Sequence, residues 1–403
     1  MIENSIVYRN FKGKYEYLPL GRAEGSTIWD RDGKRYIDFT SGWNVTNLGW
    51  NHPEIRDAVI EQAKKNVQGL LWGSDPIQEE YAAALTAALP KELDACAKET
   101  SGTESVEVAI KVARAYTNRK KIIGFDGLYH GQLFASLAVG APGSAREKIA
   151  PLVPEITPIP FPHEDIGAEA FEKFLTEFDR VLSARDVAAV VTEPGIITGW
   201  GSTLVAYPGF LAKVRAITEK YGTLLIVDEV GTGFSRTGKL FAIEHENVVP
   251  DMLCLAKGIS NGAAAIGTVV GKSAIFEPAF NDAVLISTFG WTPIACAVAL
   301  KTLQIHQRDR MWEMAEQKGK YIKEKLAPFI GSAITAVSGM GLEIGVRFKD
   351  AETCEAVQQR AYANGLHVVV GGGNNMQIMP PLTISQAELD EGLDIFVKAL
   401  LSV

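Results

Sequence analysis

The sequence has no C-x-x-C pair, no low-complexity tract, no internal repeat and no excess of positive charge. Its four cysteines, Cys96, Cys254, Cys296 and Cys354, are scattered, which speaks against a zinc site or a disulfide framework. They read as reduced, mostly buried thiols. The opening stretch MIENSIVYRNFKGKYEYLPL shows no basic segment followed by an apolar run, and no stretch approaches the ~20 apolar residues of a membrane span. A cytoplasmic protein is the expectation. Forty Lys and Arg stand against 48 Asp and Glu, a formal net charge of −8, which argues against an extended nucleic-acid or anionic-membrane surface. A local basic group holding a small anion stays open.

What is present is an ordinary globular composition, 47% apolar and 22% charged, over a length that at about 150 residues per domain suggests two or three domains. Apolar runs rich in β-branched residues, at 121–126, 187–194, 224–230, 251–257 and 266–271, alternate with helix-period stretches at 104–117, 168–182 and 209–221. That alternation predicts an α/β domain with a mostly parallel sheet. Beyond about residue 290 the texture changes to helices near 293–306, 310–327, 351–363 and 386–401 around short strands at 340–348, 366–371 and 375–379. A smaller α+β domain is expected at 291–403, the large domain at 46–290, and residues 1–45 pack with the small one. A strand pair at 26–39 turns at Asp32-Gly33, a hairpin dipeptide.

The strongest chemical constellation joins LLIVDEV (224–230) to DMLCLAK (251–257), where an acid ends one apolar strand and a lysine ends the next. In a parallel sheet both reach the same carboxyl edge, where ligands bind in open α/β folds. Asp228 and Lys257 then share a pocket, and Lys257, between Ala256 and Gly258, is placed for the partial desolvation that favours a nucleophilic amine. A plain ion pair capping the sheet reads equally well from spacing alone. TSGTESVEVAIKVAR (100–114) leads small and hydroxyl residues into an amphipathic helix, which suits an anion at the helix start or an ordinary N-cap at Ser101 or Thr103. GFSRTGKL (233–240) imitates a phosphate-binding loop but has Leu240 where Ser or Thr must hold magnesium. Nucleotide hydrolysis is disfavoured on that ground.

Taken in order, SGWNVTNLGWNHPEI (41–55), SGTESVEVAIKVAR, YHG (129–131), TEP (192–194), VDEVGTGFSRTGK (227–239), LAKGISNG (255–262), STFGWTP (287–293) and IMPPLTIS (378–385) resemble the class III, ornithine/4-aminobutyrate type aminotransferases of pyridoxal-5′-phosphate (PLP) fold type I. The resemblance covers nearly the whole chain and implies a large domain with a mostly parallel sheet of the seven-stranded type beside a smaller α+β domain. It implies a PLP enzyme that moves an amino group from an amine or ω-amino compound to a keto acid or aldehyde by a ping-pong mechanism. An amino-acid racemase or aminomutase is the alternative within the same family, and an idle PLP-fold binding protein is disfavoured by the presence of both Asp228 and Lys257.

The same resemblance implies roles. Lys257 bonds the cofactor as a Schiff base and shuttles a proton; Asp228 pairs with the pyridine nitrogen. Gly102 and Thr103 hold the phosphate, and Thr288 reaches the phosphate of the neighbouring subunit, which implies a homodimer with shared active sites. Tyr129 and Val230 flank the ring, although both also read as core, and Glu193 is the acid near the cofactor or a structural carboxylate. The departures concern the substrate: Thr198 and Gln377 stand where glutamate-using members have Glu and Arg, Gly231 where Gln is common, and Trp291-Thr292 where Gly-Asn is usual. Without that arginine, bidentate recognition of a substrate carboxylate is not available there. Trp43, Trp72 and Trp200 suggest an aromatic pocket for amines with apolar bodies, and read equally as packing. Arg236 is the nearest arginine in sequence to stand in for the missing clamp, and reads equally as a brace for its own turn.

Overall fold

The structure is a computed structural model that describes residues 18–65, 75–282, 285–371 and 373–403. Its centre is a sheet of seven strands, which we label in chain order β1 (Ala95–Glu99), β2 (Lys121–Phe125), β3 (Ile156–Ile159), β4 (Val187–Thr192), β5 (Leu224–Asp228), β6 (Met252–Leu255) and β7 (Gly267–Gly271). The spatial order is β1-β7-β6-β5-β4-β2-β3. All neighbours from β3 across to β6 pair in parallel, whereas β7 is antiparallel to both β6 and β1. The reversal has a simple cause. A parallel return needs a crossover of a dozen or more residues, but between β6 and β7 the chain makes only the short 3₁₀ turn Lys257–Ser260 and a loop.

Alternation along these strands buries both faces. Leu225 and Val227 join one core with Ile123, Phe125 and Val190, while Ile226 joins another with Ile122, Val191 and Cys254. The first face is covered by helix α2 (Ala168–Leu182), whose Phe171, Leu175, Phe178 and Leu182 recur at helical spacing. The second is covered by helix α1 (Gly102–Thr117), which buries Val106, Ala109, Ile110, Val112 and Ala113. Each Val, Ile, Leu or Phe side chain so removed from water contributes about 1.5–3 kcal/mol. Helix α1 starts where the Ser101 hydroxyl accepts the Glu104 N–H, and stops where Asn118 turns left-handed at φ 52°. A charge at Val112 would break this face.

A separate core gathers Ile37, Phe39, Leu48 and Ile55 from the early chain with Ile344, Val346, Met376, Ile378, Leu393 and Phe396 from the late chain. Leu366–His367 pairs in parallel with Arg35–Asp38, and Met379 N–H donates to the Phe39 carbonyl at 2.8 Å. The stretch expected as one strand at 340–348 is instead the turn and second arm of a hairpin, Ile334–Met340 with Glu343–Phe348. Gly341 makes the reversal: its φ is 53°, and a Cβ there would lie 2.6 Å from the Arg236 carbonyl oxygen. Among the described residues no helix is long and apolar enough to cross a membrane.

Candidate active site

The parallel register sets the site. Asp228 at the end of β5 is level with Cys254 on β6, and Val227 with Thr192 on β4, so Asp228, Glu193 and Lys257 all emerge at one carboxyl edge. The start of helix α1 meets them there. Gly102, Thr103, Tyr129, Asp228, Val230 and Lys257 line a single cleft of about 430 Å³.

Asp228 is buried. One carboxylate oxygen accepts the Val230 N–H at 2.9 Å, and the other lies 2.7 Å from Nδ1 of His130, which donates to it. His130 Nε2 is buried with no partner among the described residues. Lys257 is half-buried at φ 46°, an uncommon conformation for a residue with a side chain. Among the described residues no hydrogen bond or ion pair engages its Nζ, and it faces the cleft freely. At the helix start Gly102 is required by space, since a Cβ there would sit 2.8 Å from both methyl groups of Val230. The first turn of α1 therefore packs directly against Val230, and Gly102 and Thr103, whose N–H groups have no partner within the helix, line the cleft.

Tyr129 is held from behind by Trp200, edge to face at 5.4 Å, while the Trp200 indole N–H donates to the Leu128 carbonyl at 3.1 Å. Glu193 lies just outside the cleft lining. Its Oε2 accepts from the backbone N–H and hydroxyl of Thr198 at 2.8 and 2.9 Å, and its Oε1 has no partner among the described residues. Burial pushes this carboxyl up to about 7, and the nearby Asp228 charge acts in the same direction while His130 opposes it.

Of the residues expected at a substrate pocket, Trp43, Thr198 and Gln377 form a connected group, and neither they nor Trp200 are among the residues that line the cleft. Gln377 is wholly buried, with Oε1 accepting from the Trp43 indole at 3.1 Å and Nε2 reaching Thr203, Glu343, and the carbonyls of Thr198 and Ser202. The departures at 198 and 231 are one event in space: a Cβ on Gly231 would lie 2.2 Å from the Thr198 hydroxyl, so the side chain usual at one position is displaced by the residue at the other. Arg236 is no substitute clamp. It is fully buried and donates to the carbonyls of Leu342 and Pro380 and to Ser41 and Asn47. Trp291 is core, its indole bonded to the Gly267 carbonyl at 3.0 Å. Thr288 is exposed on a turn outside the cleft, tied to α1 through Ser287 and Glu104, and Trp72 lies outside the described residues. Sequence reasoning missed His130 and Glu343. YHG was visible as a motif, but nothing in its spacing announced a bond to an acid 98 positions away.

A family model described as aminotransferase class-III matches residues 10–400. The acetylornithine aminotransferase of Methanopyrus kandleri is 36% identical over 403 residues, 99% of each chain. The thermostable (S)-enantioselective omega-transaminase of Thermomicrobium roseum aligns with TM-score 0.88 and 31% identity over 96% of this chain and 93% of its own. The ornithine aminotransferase of Toxoplasma gondii, solved with partial occupancy of PLP at its active site, aligns with TM-score 0.88 and 26% identity over 99% and 92%. All three are named for amino-group transfer, and the racemase or aminomutase alternative gains no support from them.

The raised Glu193 carboxyl has a measurable consequence. Its folded value, about 7, lies above the ordinary 4.5, so the stability it favours is complete below about 4.5 and is lost as pH rises through about 7. In cofactor-free protein, Glu193→Gln should gain stability relative to wild type across that window, by about 3 kcal/mol at its upper end. Thermal melts at several pH values read this difference; a constant offset between the two proteins would refute it.

Proposed function

Because this chain belongs to the class-III aminotransferases and is a PLP-dependent transaminase, we propose that Lys257 and Asp228 carry its chemistry. Gly102, Thr103, Tyr129, Glu193, Val230 and, from a second copy, Thr288 seat or surround the cofactor. The observation that carries this reading is the unengaged Lys257 amine in one cleft with the Asp228–His130 pair. The fit to the cofactor rests on further features. Free N–H groups at the start of a sixteen-residue helix suit a phosphate, Tyr129 and Val230 leave room for a flat ring, and the paired Asp228 suits a protonated ring nitrogen.

When bound, the cofactor supplies a carbonyl carbon that takes up and returns the amino group and a ring that withdraws electrons. Asp228, oriented by the Val230 N–H and by His130, keeps a negative charge at the ring nitrogen. Lys257 Nζ moves a proton to and from the substrate carbon, a role open to an amine that no other side chain holds. The amine donor leaves as a carbonyl product before the acceptor enters, so the two half-reactions use one site in turn. Lys257→Ala should lose turnover by several orders of magnitude while still retaining the cofactor through the helix start. Borohydride treatment that fixed cofactor to another lysine of that variant would show the assignment to be wrong.

A homodimer with shared sites is supported by Thr288, exposed beside the equally exposed Ile286 and Phe289, on a turn bonded to the phosphate helix through Ser287 and Glu104. Thr288→Ala should weaken cofactor retention, and dilution to monomers should release it. Ultracentrifugation with absorbance detection measures both, and a fully loaded, active monomer is the outcome that sinks the idea.

For the donor we read a simple amine or an ω-amino compound, in line with the omega-transaminase relative. Gln377 and Thr198 stand where glutamate-using members have Arg and Glu, and both terminal nitrogens of the Arg236 guanidinium are bonded within the protein. Loss of one charge-assisted contact to a carboxylate forfeits about 1.5–3 kcal/mol, roughly a tenfold to hundredfold difference in efficiency. Half-reaction rates, followed by the change in cofactor absorbance without a keto acid, should rank an arylalkylamine and 4-aminobutyrate above glutamate. A wild-type preference for glutamate over every amine would overturn the donor reading.

A further inference from the structure

In its second turn, helix α1 sends Glu107 across to the short helix Phe134–Gly140, which follows the turn made by Tyr129, His130 and Gly131. That helix has Leu133 at its N-cap, a residue whose side chain offers no acceptor to the free N–H groups of the first turn. Glu107 supplies one from outside. Its Oε1 accepts the Ala135 N–H at 3.0 Å and the Ser136 N–H at 2.7 Å, and a negative charge at a helix start also suits the helix dipole. Seven residues are too few for a helix to persist without such support.

The far end of the same helix lies against the imidazole that faces Asp228. A Cβ on Gly140 would sit 2.8 Å from Cδ2 of His130 and 2.6 Å from the Leu128 carbonyl oxygen, so backbone and ring are in close contact there. The Gly127 N–H donates to the Gly140 carbonyl at 2.9 Å, which ties the helix end to the start of the turn. His130 is enclosed, with Asp228 at Nδ1 and Gly140 at Cδ2. Gly131 in turn rests on Thr103, whose hydroxyl would lie 2.5 Å from a Cβ at 131. The turn that carries His130 is thus seated on α1 at one side and on a helix that α1 caps at the other.

We propose that Glu107 is a positioning residue for the Asp228–His130 pair: by capping the helix Phe134–Gly140 it keeps Gly140 against the imidazole, and so keeps Nδ1 aimed at the Asp228 carboxylate. The inference rests on the role proposed above for Asp228. Glu107 lies outside the cleft lining and acts only through the helix and the ring. Without the cap, two N–H groups lose their acceptor and the first turn frays. In so short a helix that loosening reaches the end that supports His130.

The test uses the holoenzyme with histidine isotopically labelled at nitrogen. The chain has six histidines, so the hydrogen-bonded Nδ1 proton of His130 is assigned in the NMR spectrum by its loss in His130→Ala. Glu107→Ala should speed exchange of that proton with water about tenfold, the scale of a lost helix cap. It should lower kcat with an arylalkylamine by about the same factor and leave KM within about threefold, because Asp228 acts in the chemical step. Glu107→Gln keeps an acceptor oxygen without the charge and should change exchange and kcat about threefold. Asp350→Ala removes the cap of a different helix, Ala351–Ala363; it should lower the melting temperature and move neither readout. In the His130→Ala background, Glu107→Ala should cause no further loss of turnover. Unchanged proton exchange in Glu107→Gln overturns the proposal even where Glu107→Ala fails to fold. Faster exchange with unchanged kcat, an additive loss in the double variant, or an equal effect from Asp350→Ala overturns it too. Asp228→Asn separates the two readings. Full turnover in that variant sinks the role of Asp228 and this inference with it, whereas an inactive Asp228→Asn beside an unaffected Glu107→Ala sinks this inference alone.

Discussion

Parallel pairing of β4, β5 and β6 is the constraint on which everything at the cleft depends. Residues level in register end their strands at the same edge, so an acid after Thr192, an acid after Val227 and a lysine after Leu255 converge without any of them being close in sequence. The reversal of β7 completes the arrangement, because it leaves β1 running with the parallel strands and delivers helix α1 to the same edge with its positive end first. Helix dipole, carboxylate and amine are placed by backbone hydrogen bonds. The side chains add only the final orientation.

That division explains what could be read from the sequence. Asp228, Lys257 and the Ser101 cap were legible because each stands at the end of a segment whose apolar period announces it. The family and its cofactor followed from ordered motifs, and the departures at Thr198, Gly231 and Gln377 could be counted. Their relation could not. The Thr198 hydroxyl occupying the space above Gly231, and Gln377 bonded to Glu343, Thr203 and Trp43, are contacts between segments separated by tens to hundreds of positions. Glu343 itself drew no notice, because the stretch around it read as one continuous strand until Gly341 proved to be a turn. His130 was seen as part of a motif and not as the partner of Asp228 for the same reason.

The two sides of the site differ in how they use charge. Around the cofactor cleft, ionisable groups are few and directional: Asp228 accepts from His130 and a backbone amide, and Lys257 is left unengaged. Around Gln377, charge is buried and turned inward. Arg236 is enclosed by carbonyls, a hydroxyl and an amide, and burial pushes it down to about 10; Glu343 is enclosed by neutral donors, and burial raises its carboxyl. Gln377, Glu343 and Arg236 are wholly buried and Trp43 is half-buried, so this group turns an indole outward and no charge. Selection by shape and apolar contact follows from such a surface more naturally than selection by ion pairing.

The parallel pairing of Arg35–Asp38 with Leu366–His367 closes a loop of more than three hundred residues. On a ribosome the N-terminal strand emerges first yet has no partner until almost the entire chain has been made. The seven-stranded sheet, by contrast, is complete once Gly271 is out. Local and early contacts form before long-range ones, so the cofactor cleft is assembled in time ahead of the wall that holds Trp43 to Gln377. The edge that bears Asp228 and Lys257 can thus form on the nascent chain, whereas the contact of Trp43 with Gln377 waits for the end of synthesis.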